Sequence, residues 1–219
     1  MSRPTTSSTP WLPRLSVHFL GTMPIALLAY TAFATIDGLG ANPVETLSYF
    51  TGSWALRFLL LTLLMTPLRW IPANTTGQKP WRWPLQIRRA LGLYAFAWAL
   101  CHFLIYLLFD LSLELSLLGK ELAKRPYITL GFIALCLLTP MAVTSTKGWQ
   151  RRLGKQWKRL HKLVYPAICL ACTHYLWQLK SFHIEAIVYA AIAASLLLLR
   201  WPPIKFRVKR FLERRHVAR

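Results

Sequence analysis

Long apolar blocks are the feature of this sequence that most constrains its fold. They cover residues 16–36, 53–70, 90–109, 127–144, 161–179 and 184–201. An α-helix needs about 20 mostly apolar residues to cross the hydrocarbon core of a bilayer. We therefore predict an all-α integral membrane protein with six transmembrane helices. A bundle over residues 16–201 is preceded by an N-terminal segment, 1–15, and followed by a basic tail, 202–219.

The basic residues are concentrated between the blocks, and this distribution predicts the orientation of the chain. The net charge is +20, yet only 16% of residues are charged and 55% are hydrophobic. Of the 27 lysines and arginines, 22 fall in the N-terminal segment, the second and fourth connections and the tail, when Arg69, Lys162 and Arg200 at the block ends are counted with them. Positively charged connections stay in the cytoplasm. Both termini are therefore predicted to be cytoplasmic, and the charge indicates membrane topology rather than nucleic-acid binding.

Two apolar blocks carry histidines at matching depth. Imidazole is costly inside a bilayer and usually handles a cofactor, an ion or a proton. His102 lies about 20 Å above Arg88 and Arg89, and His174 lies about 20 Å above His161, at 1.5 Å per helical residue. Because both helices run outward, His102 and His174 are predicted to face each other and to ligate one haem iron from both sides. The alternative is that each histidine is a hydrogen-bonded packing residue between helices.

His161, at the cytoplasmic end of the fifth block, suggests a second, inner haem. Its opposite position on the third block falls near Arg88 or Arg89. Arginine stays protonated and is a poor iron ligand, but it pairs well with haem propionates. On an ideal helix, His161 and His174 do not share a face. Either Pro166 distorts the helix between them, or the two haems lie on different sides of the interface between the third and fifth helices.

The rest of the sequence offers no catalytic residue. All four cysteines lie inside apolar blocks, where Cys169 and Cys172 are expected to pack as small hydrophobes rather than to form a redox pair. No Gly-rich dinucleotide fingerprint is present. Electrons are therefore expected to come from a soluble donor or a membrane quinol and to leave to a partner or a small acceptor.

Several segments, in this order and spacing, carry a family resemblance over residues 38–201. They read GLGANPV, TGSWALRFLLLTLLMTPLR, RRALGLYAFAWALCHF, LGKELAKRPYITLG and LGKQWKRLHKLVYP followed by THYLW. The chain resembles the MsrQ (YedZ) family, the haem-binding membrane subunits of the periplasmic protein-methionine-sulfoxide reductase system. This family lies within the ferric-reductase-like transmembrane group, which includes the NADPH oxidases.

The resemblance implies a multi-pass b-type cytochrome of the bacterial inner membrane, an electron-transfer subunit rather than a catalytic one. It would pass electrons outward to a periplasmic molybdopterin enzyme that reduces methionine sulfoxide in damaged envelope proteins. It also implies FMN, with no motif to place it, and a quinone or a cytosolic flavin reductase as donor. In the NADPH oxidases the third and fifth spans each offer two histidines. Here the third span offers only His102, with arginine where the inner ligand would fall.

Two other functions remain open from the sequence. One is a self-contained ferric or quinone reductase that acts on a small acceptor. The other is a haem-free transporter whose histidines relay protons or bind metal. Proton-coupled transport usually needs carboxylates within the membrane, and the apolar blocks contain almost none.

Overall fold

The computed structural model describes residues 11–34, 38–76, 83–178 and 184–217, and all of its regular elements are helical. Residues 1–10 and 218–219, and the ends of the predicted first and fifth spans at 35–36 and 179, lie outside this part. The α-helices are α1 (Trp11–Ala34), α2 (Pro43–Thr76), α3 (Trp83–Ile105), α4 (Leu115–Lys124), α5 (Pro126–Val143), α6 (Lys147–Leu153), α7 (Lys155–Leu160), α8 (Val164–Gln178), α9 (Ile184–Leu198) and α10 (Pro202–Val217). A π-helical turn, Tyr106–Asp110, extends α3, and a 3₁₀ turn, His161–Leu163, precedes α8.

The all-α membrane class is confirmed. Among the described residues, four helical stretches are long and apolar enough to cross a bilayer: Leu15–Phe33, Pro43–Trp70, Trp83–Asp110 and Pro126–Val143. A fifth is formed if α9 and the start of α10, bent by 82° relative to each other, count as one span. The α8 helix has 15 residues and is shorter than these stretches. The number of six spans and the orientation of the termini therefore stay predictions.

Helix α2 begins earlier and ends later than the apolar block 53–70 indicates. The side chain of Asn42 accepts a hydrogen bond from the backbone N–H of Glu45, at 3.3 Å, as an N-cap residue does. Pro43 follows at the first helical position, where its missing N–H costs nothing. Helix α2 therefore includes Ser48 and Gly52, which both lie against α3.

The buried core is built around α2. Phe58 and Leu63 on this helix are 1% and 0% exposed, and Ile168 on α8 is fully buried beside them. Helix α2 packs against α3, α8, α9 and α10, while α5 packs against α8 and α1 against α3. On α1, Phe19 and Phe33 are 69% and 91% exposed. Large apolar side chains on an outer surface are expected where lipid, not water, is the solvent.

The connections contain more helix than the sequence suggested. The leucine-rich segment of mixed charge before Pro126 forms a short helix, α4. The basic segment 147–162, predicted as a loop, folds as α6 and α7, with a break at Gly154, where φ is +50°. A residue without a Cβ adopts this conformation readily. The basic tail also forms a helix, α10.

Pro166 does not distort the middle of a helix. The 3₁₀ turn ends at Leu163 and α8 begins at Val164, so Pro166 lies in the first turn. Backbone N–H groups in a first turn have no partner within the helix. The helix between His161 and His174 is therefore interrupted at the 3₁₀ turn, not at the proline.

Candidate haem-binding site

His102 and His174 face each other across the bundle. Their ring centres are 6.2 Å apart, and the ring planes make an angle of 69°. His102 lies near the end of α3 and His174 near the end of α8, and both side chains are half-buried. The structure therefore brings together the two rings that the sequence predicts to face each other.

The ring of His102 is held against α2. Its Nδ1 atom lies 2.8 Å from the backbone carbonyl oxygen of Ser48. One turn further along α2 is Gly52, where a Cβ would lie 3.1 Å from the same Nδ1 atom. The imidazole thus rests on a helix surface that has no side chain at the point of contact.

The ring of His174 is held against α5 in the same way. Its Nδ1 atom lies 2.7 Å from the carbonyl oxygen of Tyr127, and the Tyr127 ring stacks on it with centres 6.3 Å apart. Gly131 lies one turn further along α5, and a Cβ there would lie 3.0 Å from Nδ1. Two different helix pairs therefore present a histidine through one common arrangement.

These hydrogen bonds determine the chemistry of each ring. A carbonyl oxygen can only accept, so Nδ1 of each imidazole carries the proton and donates. In a neutral imidazole the other nitrogen, Nε2, then has a free lone pair, as a metal ligand requires. A hydrogen bond from the non-ligating nitrogen to a backbone carbonyl is also the usual support of a metal-bound histidine.

The spacing of the two rings fits axial ligation of one haem iron. Two metal–imidazole bonds of about 2.0–2.1 Å, extended on each side to the ring centre, place the centres roughly 6.3 Å apart. The observed value is 6.2 Å. Within the described part of the chain, no group of three or more His, Cys, Asp or Glu side chains is arranged to hold a bare metal ion. Two imidazoles suffice for haem, because the macrocycle supplies the remaining ligands.

His161 lies at the other end of the α8 segment and has a different environment. Its Nδ1 atom is 3.0 Å from the carbonyl oxygen of Trp157, one turn earlier, and its ring stacks on the Trp157 ring at 3.8 Å. Arg88 is close enough to act on His161 electrostatically. Arg89 is exposed. The structure therefore brings Arg88, and not Arg89, close to His161.

A polar cluster beside the histidine pair was not identified from the sequence. Arg57 Nη2 lies 3.0 Å from Glu185 Oε1, and Arg57 Nε donates to Tyr189 Oη at 2.7 Å. Tyr49 also donates to Glu185 and accepts from Tyr175. Tyr49 follows Ser48, and Tyr175 follows His174. The signal that could have revealed the cluster is one arginine and one glutamate in apolar segments, which need partners inside a membrane.

The four cysteines, Cys101, Cys136, Cys169 and Cys172, are free thiols. Cys172 is buried in the core, whereas Cys169 is exposed on the outside of the bundle. The two residues therefore have different surroundings, and Cys172 packs as a small hydrophobe.

Comparison with known proteins first shows the class of protein to which this chain belongs. Residues 51–172, which include His102 and end just before His174, match the family described as "Ferric reductase like transmembrane component". Curated relatives are more specific. The chain is 45% identical over 196 residues to the "Protein-methionine-sulfoxide reductase heme-binding subunit MsrQ" of Xanthomonas euvesicatoria pv. vesicatoria (strain 85-10), covering 88% of this chain and 87% of the relative. The protein of the same description from Xanthomonas oryzae pv. oryzae (strain MAFF 311018) matches equally well. This chain therefore belongs to the MsrQ family of ferric-reductase-like transmembrane proteins.

Proposed function

We propose that this chain binds haem b between His102 and His174 and carries electrons across the bacterial inner membrane to a protein-methionine-sulfoxide reductase. The observation that carries the proposal is the facing pair of imidazoles, 6.2 Å apart, with both Nδ1 atoms bonded to backbone carbonyls. The names of these relatives describe a haem-binding subunit, which supports the same assignment.

The chain's own groups would hold and orient the cofactor. The carbonyls of Ser48 and Tyr127 keep the proton on Nδ1, so that Nε2 of each histidine is the ligating atom. A haem supplies one-electron redox chemistry when it is bound in this way. Held by both His102 and His174, a haem would supply electron transfer rather than oxygen or substrate chemistry. The site therefore favours electron transfer, and the catalytic residues belong to another subunit.

The direction of transfer and the partners follow from the charge pattern and the family. With both termini in the cytoplasm, the histidine pair lies in the outer half of the membrane, near the periplasm. The acceptor is then a periplasmic subunit that carries a molybdopterin and reduces methionine sulfoxide. The donor is the quinone pool or a cytosolic flavin reductase. The family also implies FMN, for which no residue is assigned here.

His161 and Arg88 form the candidate inner site. His161 has Nδ1 bonded to Trp157 and therefore offers Nε2, as the outer pair does. Arg88 is close enough to act on it electrostatically and is suited to pairing with a haem propionate. Arg89, one position further and exposed, is the weaker propionate partner. We propose that a second haem is held here, with His161 as its histidine ligand.

Absorption spectra and a pyridine haemochrome assay on purified protein test the outer site. His102→Ala and His174→Ala are each expected to remove the outer haem, because each removes one of two axial ligands. His18→Ala is the matched control, since His18 is also a membrane histidine but bonds to the hydroxyl of Tyr94, at 3.0 Å. Full haem content in both His102→Ala and His174→Ala would overturn the proposal, and a colourless unaltered protein expressed with ample haem would favour a transporter.

A reductase assay tests the partner. Proteoliposomes with an internal electron donor are mixed with the external methionine sulfoxide reductase subunit and a peptide that contains methionine sulfoxide. Peptide reduction should require both proteins and should be lost in His102→Ala. Equal electron delivery to ferric chelates or quinones, with none to the reductase subunit, would identify a self-contained reductase instead.

A further inference from the structure

The two histidines of the facing pair are supported by one arrangement that occurs twice. In each case the first helix of a packed pair offers a backbone carbonyl and, four residues later, a glycine. The second helix offers the histidine. The two cases are Ser48, Gly52 and His102 on α2 and α3, and Tyr127, Gly131 and His174 on α5 and α8. We call each of these arrangements a seat.

We propose that Gly52 and Gly131 are positioning residues for the haem ligands. The missing Cβ lets each imidazole lie directly on the neighbouring helix, where Nδ1 reaches the carbonyl four residues earlier and Nε2 is left free for iron. This inference rests on the proposed haem ligation and adds to it the residues that determine which nitrogen atom ligates and how each ring is oriented.

The distances show how little room each seat has. A Cβ on Gly52 would lie 3.1 Å from His102 Nδ1 and 3.2 Å from its Cε1. A Cβ on Gly131 would lie 3.0 Å from both Nδ1 and Cε1 of His174. Unbonded heavy atoms prefer separations of about 3.5–4.0 Å. An alanine at either position must therefore push the ring, or the helix, by a few tenths of an ångström.

The atoms that would be displaced are the ones that matter for ligation. In both seats the contact falls on the edge of the ring that holds Nδ1, the atom that donates to the carbonyl. Moving this edge away from the helix lengthens that hydrogen bond and tilts Nε2. Glycine also weakens a helix interior compared with alanine. The contacts with the two imidazole rings therefore explain why glycine, and not alanine, occupies both positions.

A third glycine shows that close helix packing alone does not require this arrangement. Gly92 lies on α3 at the same interface with α2, but a Cβ there would lie 3.8 Å from the methyl group of Thr62. That is an ordinary van der Waals distance. Gly92→Ala is therefore a matched control, with the same chemical change at the same interface and no contact with a histidine.

The test uses the purified, haem-loaded proteins Gly52→Ala, Gly131→Ala and Gly92→Ala. Loss of haem to added apomyoglobin is followed by absorbance, and the low-spin iron signal is recorded by electron paramagnetic resonance. Changes in residues that support metal ligands typically cost 10–100-fold in affinity, so haem loss should be roughly 10-fold faster in the two seat variants. Their low-spin signals should also shift, because the ring orientation changes. Gly92→Ala should behave as the unaltered protein does.

Haem loss and spectra equal to those of Gly92→Ala in both seat variants would overturn the inference. The proposed function would still stand if His102→Ala and His174→Ala lost haem, so the two failures are distinguishable. If a seat variant does not fold, the unaltered protein is measured in its reduced, diamagnetic form. There the two Nδ1 protons should exchange slowly with deuterium oxide in nuclear magnetic resonance spectra, and rapid exchange of both would equally overturn the inference.

Discussion

Arg57 and Glu185 form an ion pair that joins α2 to α9, with Nη2 and Oε1 3.0 Å apart. The hydroxyl of Tyr189 lies between them, accepting from Arg57 at 2.7 Å and donating to Glu185 at 2.6 Å. Tyr49 adds a further hydrogen bond to the same carboxylate. Because Tyr49 is adjacent in sequence to Ser48, this cluster joins the part of α2 that contacts His102 to α9.

The first prediction concerns the charge of Glu185. Glu185→Gln leaves Arg57 without its anionic partner, and the protein should unfold at a lower temperature in detergent. The side chains are 35% and 36% exposed, so the expected cost is at the level of an exposed pair, about 1 kcal/mol. Combining Glu185→Gln with Arg57→Gln should cost less than the sum of the two single changes. Strict additivity would show that the two charges are not coupled.

The second prediction ranks two tyrosines of the same cluster. Tyr189→Phe removes hydrogen bonds to both Arg57 and Glu185, whereas Tyr175→Phe removes only a 3.3 Å bond to Tyr49. A hydrogen bond to a charged group contributes about 1.5–3 kcal/mol and a neutral one about 0.5–1.5 kcal/mol. Thermal unfolding should therefore show a larger loss for Tyr189→Phe. The reverse order would place the stabilising contact of this cluster elsewhere.

The third prediction separates the inner site from the outer one. His161→Ala should lower the ratio of haem to protein by about half, with the spectrum of the outer haem unchanged, because the two sites use different ligands. The pyridine haemochrome ratio and the reduced-minus-oxidised spectrum measure both quantities. Leu163→Ala, two residues away, is the control. An unchanged ratio in His161→Ala would mean that the protein holds only the outer haem.

The fourth prediction tests the orientation in the membrane. Ser116, on α4, and Gln156, on α7, are both exposed and lie in connections that the charge pattern assigns to opposite sides. A membrane-impermeant maleimide should label Ser116→Cys in spheroplasts and Gln156→Cys only after lysis. The unaltered chain, whose four cysteines are free, provides the background. The opposite labelling pattern would reverse the topology and the direction of electron transfer.

The sequence could predict that His102 and His174 lie close together, because that prediction uses only residue counts along helices. Counting from Arg88 and Arg89 on one helix and from His161 on the other puts His102 and His174 at one level. The structure brings their rings together, although α3 begins at Trp83 and α8 only at Val164. The inner site depends on side-chain contacts, which counting along helices does not predict. The stacking of His161 on Trp157 and the approach of Arg88, rather than Arg89, are therefore known only from the structure.

The bounds of the helices show where the hydrophobic pattern stops being informative. The block 53–70 marks the apolar part of α2, but the helix runs from Pro43 to Thr76, because capping at Asn42 acts where the sequence is already polar. The segment 147–162 was expected to be a loop because it is basic. It is helical because charge does not prevent helix formation, and α6 and α7 break only at Gly154.

The sequence by itself determined the membrane class and the charge asymmetry, and it predicted that His102 and His174 face each other, since these follow from residue order along a helix with a known rise. Only the tertiary structure decided which helix supports each histidine. No sequence repeat links Ser48 and Gly52 to Tyr127 and Gly131, because a seat needs only one backbone carbonyl and one missing side chain. Those two features become a ligand support when packing brings a second helix close enough for an imidazole to lie on them.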